Sequence, residues 1–535
     1  MNLRIKNTPF YIVSFIAILV FIYPCLKGGL WLGHDVGAHF SRLLAVNEEI
    51  KHGQFPMLFD FFNDNQFGYA WNIYYPPLSS YIFAFTYPIK LFGGTELDQF
   101  KITCLIIYLI CLLSSYKAAY YITGIKFTSI LTSVIYCSCV YLANNYYIRL
   151  AVGEMLAYSI FPLLILSYLK FRSSGEFNLS SALILLMILL SNIPAFLVCL
   201  IFLSFMAALD FRLIFNKIHL TTTIKIMGSL ILLSSFYTLP LIWSRMHDSV
   251  WAFDNIASDF TNMWRMAATA SLFVTGDDAI ISTIGVHTRS QRTIGMALFI
   301  TFLMSLYVFR KQSKNTELQI AALFFSFIST SLFPWFLLPK STPLLGLIQF
   351  PWRFLIIPSF VASLMSAKII ALVKRNNTQL ALILFSILSL SSGYTTFNAL
   401  LKRIHTQSEM VLFYRDYMPS GVRVSELLGK RNEPYINAAP SNTDVYYHKG
   451  YPNYIINRDF DKLCLPVFNS SLLDISMNGR KESKHTDEGL LCINGNDSKE
   501  RNIVSVTPNK IIYIGFGITI ISLIFFLLLR RTKKF

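Results

Sequence analysis

The chain has 535 residues, 54% of them hydrophobic and 14% charged, and its mean hydropathy is +0.51. Soluble domains carry about one quarter charged residues, so this composition excludes an ordinary soluble globular protein. Apolar runs of about 20 residues recur along the length, which indicates a polytopic α-helical membrane protein. The formal charge of +17 does not point to nucleic acid. The basic residues cluster between the apolar runs, where cytoplasmic loops carry them.

The first run, Pro9 to Leu26, lacks the small-residue cleavage site of a signal peptide and reads as a retained helix behind Arg4 and Lys6. Residues 28–75 follow as a long external loop. Its opening stretch, WLGHDVGAHFSRLLAVNEEIKHGQFP, gathers three histidines, an aspartate, two glutamates and an arginine. If the chain is helical from Asp35, then His39 and Arg42 fall at i+4 and i+7 and share its face. An ionisable cluster at a membrane boundary is a functional-site candidate, although charged residues are also ordinary in wet loops. Asp35 and His39 can further be read as two ligands of a metal site, with no third in view.

Residues 74–94 are apolar but carry Pro76, Pro77 and Pro88, and so form either a crossing or a broken interfacial helix. Helices are expected at 102–122, 127–145 and 156–171. The run 179–209 is long for one crossing, and Asn192 and Pro194 interrupt it, as in a tight pair of short helices. Further helices are expected at 222–244, 293–310, 317–337, 350–373, 378–398 and 510–530. Basic clusters at Lys170 and Arg172, Arg212 and Lys217, Arg310 to Lys314, Lys374 and Arg375, and Arg530 to Lys534 mark cytoplasmic loops. Counting crossings back from the tail puts Lys170 and Arg172 inside only if 179–209 crosses twice and 76–93 does not fully cross. The rival assignment reverses both. The first satisfies more of the basic residues, and gives about a dozen transmembrane helices with both termini cytoplasmic.

Two polar clusters interrupt the later helices. Arg149 and Glu154 in YYIRLAVGEMLAY are five apart, which is not an ideal helical ion pair. They either pair through a turn or face one cavity. Trp352 and Arg353 in QFPWRFL head a helix, where the guanidinium can grip a phosphate or the pair can anchor at the membrane interface. The external loop 245–292 carries Asp248, Asp254, Asp259, Arg265, Asp277, Asp278, His287 and Arg289. It is long enough for a lid and equally compatible with a solvated loop.

Charge rises again in residues 399–508, where VYYHKGY and LCLPVF read as strands between Asn, Gly, Asp and Ser turns. The expected organisation is a multi-helix membrane domain at 1–398, a small β-rich extracytoplasmic domain at 399–508, and a final helix with a basic tail at 509–535. Six of the eight cysteines lie in apolar runs and read as packing residues. Cys464 and Cys492 share the external region, where a disulfide between them is plausible chemistry. No CxxC or zinc spacing occurs.

An Asp just after the first helix, a long external loop and a PPL-led apolar run ending in LFGG resemble the GT-C class of membrane glycosyltransferases. More specifically, HDVGAHFSRL, GQFP, FGYAWNIYYPPL, RLAVGEMLAY, QFPWRFL and YRDYMPSG resemble a bacterial group labelled "6-pyruvoyl-tetrahydropterin synthase-related membrane protein". These matches are spread over residues 31 to about 420. No pterin-synthase zinc motif is present, so that label is no guide to activity. The resemblance implies a bacterial inner-membrane enzyme. It would move a sugar from a polyprenyl-phosphate donor to an envelope glycan, lipid or protein acceptor on the external face. It gives Asp35 the role of the loop-one acid, accepting the acceptor's proton or holding a divalent cation near the lipid phosphate. His39 would orient Asp35 or the acceptor, and Arg149 or Arg353 would neutralise the departing phosphate. His34, Arg42, Glu154 and Trp352 complete the implied substrate-binding set. Many GT-C enzymes have an acidic pair here, whereas this chain sets Asp35 with His34 and His39, which leaves metal use open. Two other classes fit the sequence: a lipid or sugar transporter or flippase, for which no inverted repeat is seen, and a non-catalytic envelope-assembly protein.

Overall fold

The computed structural model describes residues 7–63, 67–255, 293–310, 316–330, 332–337, 346–406, 416–422, 433–495 and 501–531. It divides into two compact units, each built from three stretches of chain. Residues 1–36, 97–227 and 258–410 form the first, and 37–96, 228–257 and 411–535 the second. This differs from a linear boundary at residue 398. The late strands share one hydrophobic core with Leu58, Phe59, Ile73 and Tyr74 from the first long loop, and with Val250 and Ile512.

Among the described residues seven helices are long and apolar enough to cross a membrane, and the bent pair Lys126–Cys137 and Val140–Arg149 makes an eighth. Leu179–Leu189, Ile193–Leu209, Met296–Val308 and Thr316–Ile328 are apolar but shorter, and with them the count is about a dozen. The chain is a multi-pass helical membrane protein with a β-rich segment before its last helix. Residues 76–93 hold the short helices Leu78–Thr86 and Pro88–Leu91. Nine residues rise only about 13 Å, less than half the hydrocarbon thickness.

In the first unit the run 179–209 turns back on itself. Leu179–Leu189 stops at Leu190, and the Asn192 side chain caps Ile193–Leu209 by accepting the amide of Ala195 at 2.9 Å. Both outer ends return to the same end of the helix Val152–Ser174. Ser167 donates to Ser181 at 2.7 Å, Tyr168 to the carbonyl of Met206 at 3.2 Å, and Arg172 to Asp210 at 3.0 Å. Several basic residues of this unit collect at that end. Arg172 also grips Glu317 (2.7 Å through Nη2), Lys368 lies over Phe309, and Lys374 reaches Asn7 and the ring of Phe127. The helices Thr8–Leu26, Val152–Ser174 and Ile356–Asn376 all run between this end and the opposite one.

At the opposite end Leu30–Trp31 pairs with Arg403–Ile404 as a short antiparallel ribbon. The Arg403 guanidinium there satisfies the carbonyls of Pro24, Gly28 and Gly29 at 2.7–2.9 Å, closing the C-terminus of the first helix. Arg403 therefore belongs with the helices rather than with the late strands.

In the second unit two five-stranded antiparallel sheets enclose a common core. One orders His485–Asp487, Leu490–Asn494, Lys462–Phe468, Tyr435–Ile436 and Ala439–Pro440. The other orders Asp444–His448, Tyr451–Ile456, Asn502–Pro508, Leu473–Met477 and Arg480–Lys481. Burial alternates along Leu473–Met477 and Asn502–Pro508, the period of a sheet with one face inward. Lys449–Gly450, Asn478–Gly479 and Glu488–Gly489 each place two successive residues at positive φ, as two-residue hairpin turns require. Cys464 and Cys492 face each other across neighbouring strands and are joined by a disulfide.

Candidate active site

The candidate site sits in the first unit, at the end away from the basic loops. Its framework is backbone. The segment after Lys126–Cys137 winds as a π-helix over Asn144–Arg149 and ends at Leu150 in the left-handed region, φ +57°. A helix C-terminus leaves carbonyls unsatisfied. Here His34 donates its amide to the carbonyl of Ile148 at 3.0 Å, and Asp35 to that of Arg149 at 2.8 Å. Trp31 Nε1 adds a bond to the Tyr146 carbonyl at 2.7 Å. The approach needs Gly33, because a Cβ there would lie 2.6 Å from the Cβ of Leu150 and 3.2 Å from the Arg149 backbone.

This clamp sets Asp35 beside Arg149. The kink at Leu150 then folds the chain back so that Arg149 Nη1 meets Glu154 at 2.6 Å, five residues on and one turn into Val152–Ser174. The pair forms through the turn, as one of the two sequence readings had it. Glu154 accepts two further bonds, from Tyr141 Oη at 2.9 Å and from Arg353 Nε at 3.2 Å. Arg353 comes from the 3₁₀ turn Pro351–Leu355 and also donates to the Ile348 carbonyl and Gln349 Oε1, at 2.6 and 3.0 Å. Trp352 is buried and its ring stacks on Phe350 at 4.2 Å, so it is not an interface-belt residue. Phe350 in turn lies under the Arg353 guanidinium at 4.8 Å.

The four charges are unequal. The Glu154 side chain is 4% exposed and held by three donors. The Asp35 side chain is 44% exposed, and its nearest guanidinium nitrogen, Arg149 Nη2, stands at 3.8 Å, beyond hydrogen-bond length. Burial raises the Asp35 pKa above the ordinary carboxylate value and Arg149 pulls it back part of the way. Asp35 is thus the reachable member, a carboxylate with spare acceptor capacity next to two oriented guanidinium groups. That chemistry suits an anion beside the arginines and a hydroxyl proton beside Asp35. It does not suit a divalent cation. The other carboxylate is saturated, and a cation at Asp35 would sit against Arg149.

His34 is exposed next to Asp35. Asp35 lies one residue before the helix Val36–Lys51 rather than within it. His39 and Arg42 belong to the second unit. There His39 is buried edge-on to Tyr75 at 5.3 Å. Arg42, also buried, donates to Ser79, Ser80, Asn72 and the Pro76 carbonyl at 2.9–3.3 Å and lies 4.1 Å over Tyr75. It ties the YYPPLSS segment to the helix. Among the described residues one group of three potential metal-ligating side chains lies close together: Cys464, Asp487 and Cys492, whose cysteines are spent in the disulfide. Asp248 accepts hydrogen bonds from Ser244 and Ser471, and Asp254 from Ser249 and Ser420, all in the second unit, while Asp259, Arg265, Asp277, Asp278, His287 and Arg289 lie outside the described residues. Sequence reasoning missed Tyr141, Gln349, Phe350 and Asn145, whose side-chain oxygen accepts from Arg149 Nη1 at 3.2 Å. Tyr141 is thirteen residues from the acid it serves, and no local spacing announces it.

No family model matches the chain. A protein of Lactococcus lactis subsp. cremoris (strain MG1363), described as an uncharacterized protein, is 28% identical over 106 residues. That alignment covers 20% of this chain and 17% of the relative, so only a small part of the relative's length is shared. Two solved structures align more broadly. The arabinofuranosyltransferase AftD from Mycobacteria matches with a TM-score of 0.42 and 14% identity, over 73% of this chain and 27% of its own. ArnT from Cupriavidus metallidurans, bound to undecaprenyl phosphate, matches with a TM-score of 0.38 and 10% identity, over 74% of this chain and 77% of its own. Both scores and both identities are low.

Proposed function

We propose that the chain is a membrane glycosyltransferase of GT-C type, moving a sugar from a polyprenyl-phosphate donor to a cell-envelope acceptor. The observation that carries this is one half-exposed carboxylate, Asp35, set beside two buried and oriented guanidinium groups. The motif resemblance of residues 31 to about 420 supports the same assignment and the link to the pterin-synthase-related bacterial group. The site lies opposite the basic loops, and by the positive-inside rule that is the extracytoplasmic face of the inner membrane.

In this reading Arg149 and Arg353 hold the donor phosphate at the helix ends. The acceptor hydroxyl approaches the anomeric carbon from the far side of the leaving phosphate and gives its proton to Asp35. A new carbon–oxygen bond forms, the bond to the phosphate oxygen breaks, and the arginines take up the charge that develops there. The raised pKa of Asp35 makes it a stronger base than a solvated aspartate. Glu154 keeps both guanidinium groups aimed and never needs to touch substrate.

The test compares wild type with Asp35→Asn at matched stability. Each is given a panel of polyprenyl-phosphate sugars and envelope acceptors, and products are read by mass spectrometry. Loss of a general base costs about 10²- to 10⁴-fold in kcat with donor binding retained. Equal transfer by both proteins would remove Asp35 from the chemistry. Absence of both transfer and donor binding would shift the assignment to a transporter or an assembly scaffold.

A further inference from the structure

The first long loop carries, in the second unit, a large apolar side chain that the protein leaves uncovered. Phe55 is 76% exposed, although Gln54 before it and Pro56 after it are buried. A single apolar residue on a wet surface is ordinary. What distinguishes Phe55 is the depth at which it stands.

The final helix measures that depth. Its 20-residue apolar span, Lys510–Leu529, rises about 30 Å, the thickness of the hydrocarbon layer. The match leaves no length for a large tilt, and it sets Lys510 at a membrane boundary. Phe516 lies six residues in from Lys510, about 9 Å along the axis. The Phe55 ring packs 6.4 Å from the ring of Phe516.

A second helix agrees. Phe236, in Lys217–His247, packs on Phe516 at 5.4 Å, and it stands nine residues, about 14 Å, from the charged Arg245. The two helices are locked in register. A Cβ at Gly515 would lie 2.6 Å from the Ser235 carbonyl oxygen, and Thr519 Oγ1 accepts the amide of Phe236 at 3.0 Å. Both helices therefore place Phe55 at the acyl–headgroup boundary or just beneath it, where water no longer surrounds a side chain.

The loop is also rigid. Gln54 Nε2 donates to the carbonyls of Phe59 and Gly450 at 3.0 and 3.1 Å, and its Oε1 accepts the amides of Leu58 and Phe59 at 2.9 Å. Gly450 permits the approach, since a Cβ there would meet the Gln54 side chain at 2.3 Å. A ring presented by a fixed loop has little freedom left to lose when lipid closes round it.

We propose that the loop Gly53–Pro56 is a membrane anchor, with Phe55 inserted among the upper acyl chains of the leaflet beside Lys510. Its partner is the lipid surface. Because Leu58 and Phe59 belong to the core of the late strands, the anchor ties that β-rich core to the leaflet at a point besides its helices. Neither sugar transfer nor the choice of external face enters into it.

The experiment reconstitutes the full chain in vesicles of phosphatidylethanolamine and phosphatidylglycerol. Phe55→Cys carries a nitroxide spin label, and the six native free cysteines are all buried. Power saturation compares collisions with oxygen, which enters lipid, and with a nickel chelate, which stays in water. Ile521→Cys, exposed at the middle of the final helix, is the lipid standard, and Lys481→Cys, exposed on an edge strand, the aqueous one. Oxygen should dominate at position 55, at a depth of about 5–10 Å below the lipid phosphates. Collisions dominated by the nickel chelate, as at Lys481→Cys, overturn the proposal. So do low rates with both reagents, which would mean that a second copy or another protein covers the loop. Phe55→Trp gives an independent reading should the cysteine variant fail to fold. Lipids brominated near the top of the acyl chain should quench the emission it adds over wild type, and added emission that they leave unchanged overturns the proposal as well.

Discussion

Asp35 and Glu154 carry the same functional group and do opposite jobs. Glu154 is saturated by Tyr141, Arg149 and Arg353, and so fixes geometry. Asp35 is left able to react. A third carboxyl, Glu49 in the second unit, follows a different logic. It is fully buried, and neither side-chain oxygen has a hydrogen-bond partner among the described residues. Burial, then Asp60, push its pKa well above the usual value against the pull of Arg42. Between about pH 4.3 and its folded pKa, the folded chain holds a proton that the unfolded chain has released. Stability therefore falls as pH rises, by about 1.4 kcal/mol per pH unit. Asp60, pushed up to about 6 by burial against bonds from Asn63 and Phe62, has the same sign but has finished titrating by pH 7. Glu49→Gln should thus raise the thermal midpoint relative to wild type, and by more at pH 8 than at pH 6.5. An equal gain at both would mean Glu49 is not held neutral by the fold. Individual residues were partly legible in the sequence. The ionisable stretch after the first helix drew attention to Asp35, but nothing in it told the reachable acid from the buried Glu49. That distinction is made by neighbours distant in sequence.

The device that positions Asp35 is an element junction: a π-turn, a left-handed residue and a strand-like approach through Gly33. Helical spacing rules assume one uniform helix, and so placed Asp35 inside Val36–Lys51 and saw Arg149 and Glu154 as a poor pair. The junction breaks both assumptions. It gives a sharp test in Gly33→Ala, whose new methyl group meets Leu150 and the Arg149 backbone. Relief requires the 33–35 segment to lift from the carbonyls of Ile148 and Arg149. Overpacking of this kind costs about 1–3 kcal/mol, but displacement of Asp35 should cut kcat by more than any loss of folded protein explains. A variant that loses stability and keeps full kcat per folded molecule would show that the clamp does not set the acid. The long apolar helices, by contrast, were readable from composition, whereas VYYHKGY, read as one strand, holds the turn Lys449–Gly450 between the strands Asp444–His448 and Tyr451–Ile456. The small domain's border was not readable. Its core borrows Leu58, Phe59, Ile73 and Tyr74 from a loop more than 350 residues earlier, and hydrophobic contacts of that kind leave no linear trace.

At the scale of the molecule, the fold of 179–209 decides the topology. A single crossing there would put Lys170 and Arg172 on the side opposite Arg212 and Lys217. The contacts of Arg172 with Asp210 and with Glu317 instead hold both flanks at one end. Among the described residues the loops carrying Arg172, Arg212 and Lys374 then share that end, and the Asp35 cluster, with Arg403 beside the first helix's C-terminus, faces away from it. The arrangement can be measured by thiol labelling on intact cells, because the native background is low. Six cysteines are free and all six are buried, and the other two are joined in a disulfide. Leu32→Cys, at an exposed position near Asp35, should react with a membrane-impermeant maleimide from outside. Ser173→Cys and Lys217→Cys, flanking the hairpin and exposed, should react only after the membrane is opened. If the two flanking positions label from opposite sides, the hairpin crosses once and the positive-inside argument for an external site fails. If all three invert together, the hairpin stands but Asp35 faces the cytoplasm, and the transfer reaction would have to draw its acceptor from there.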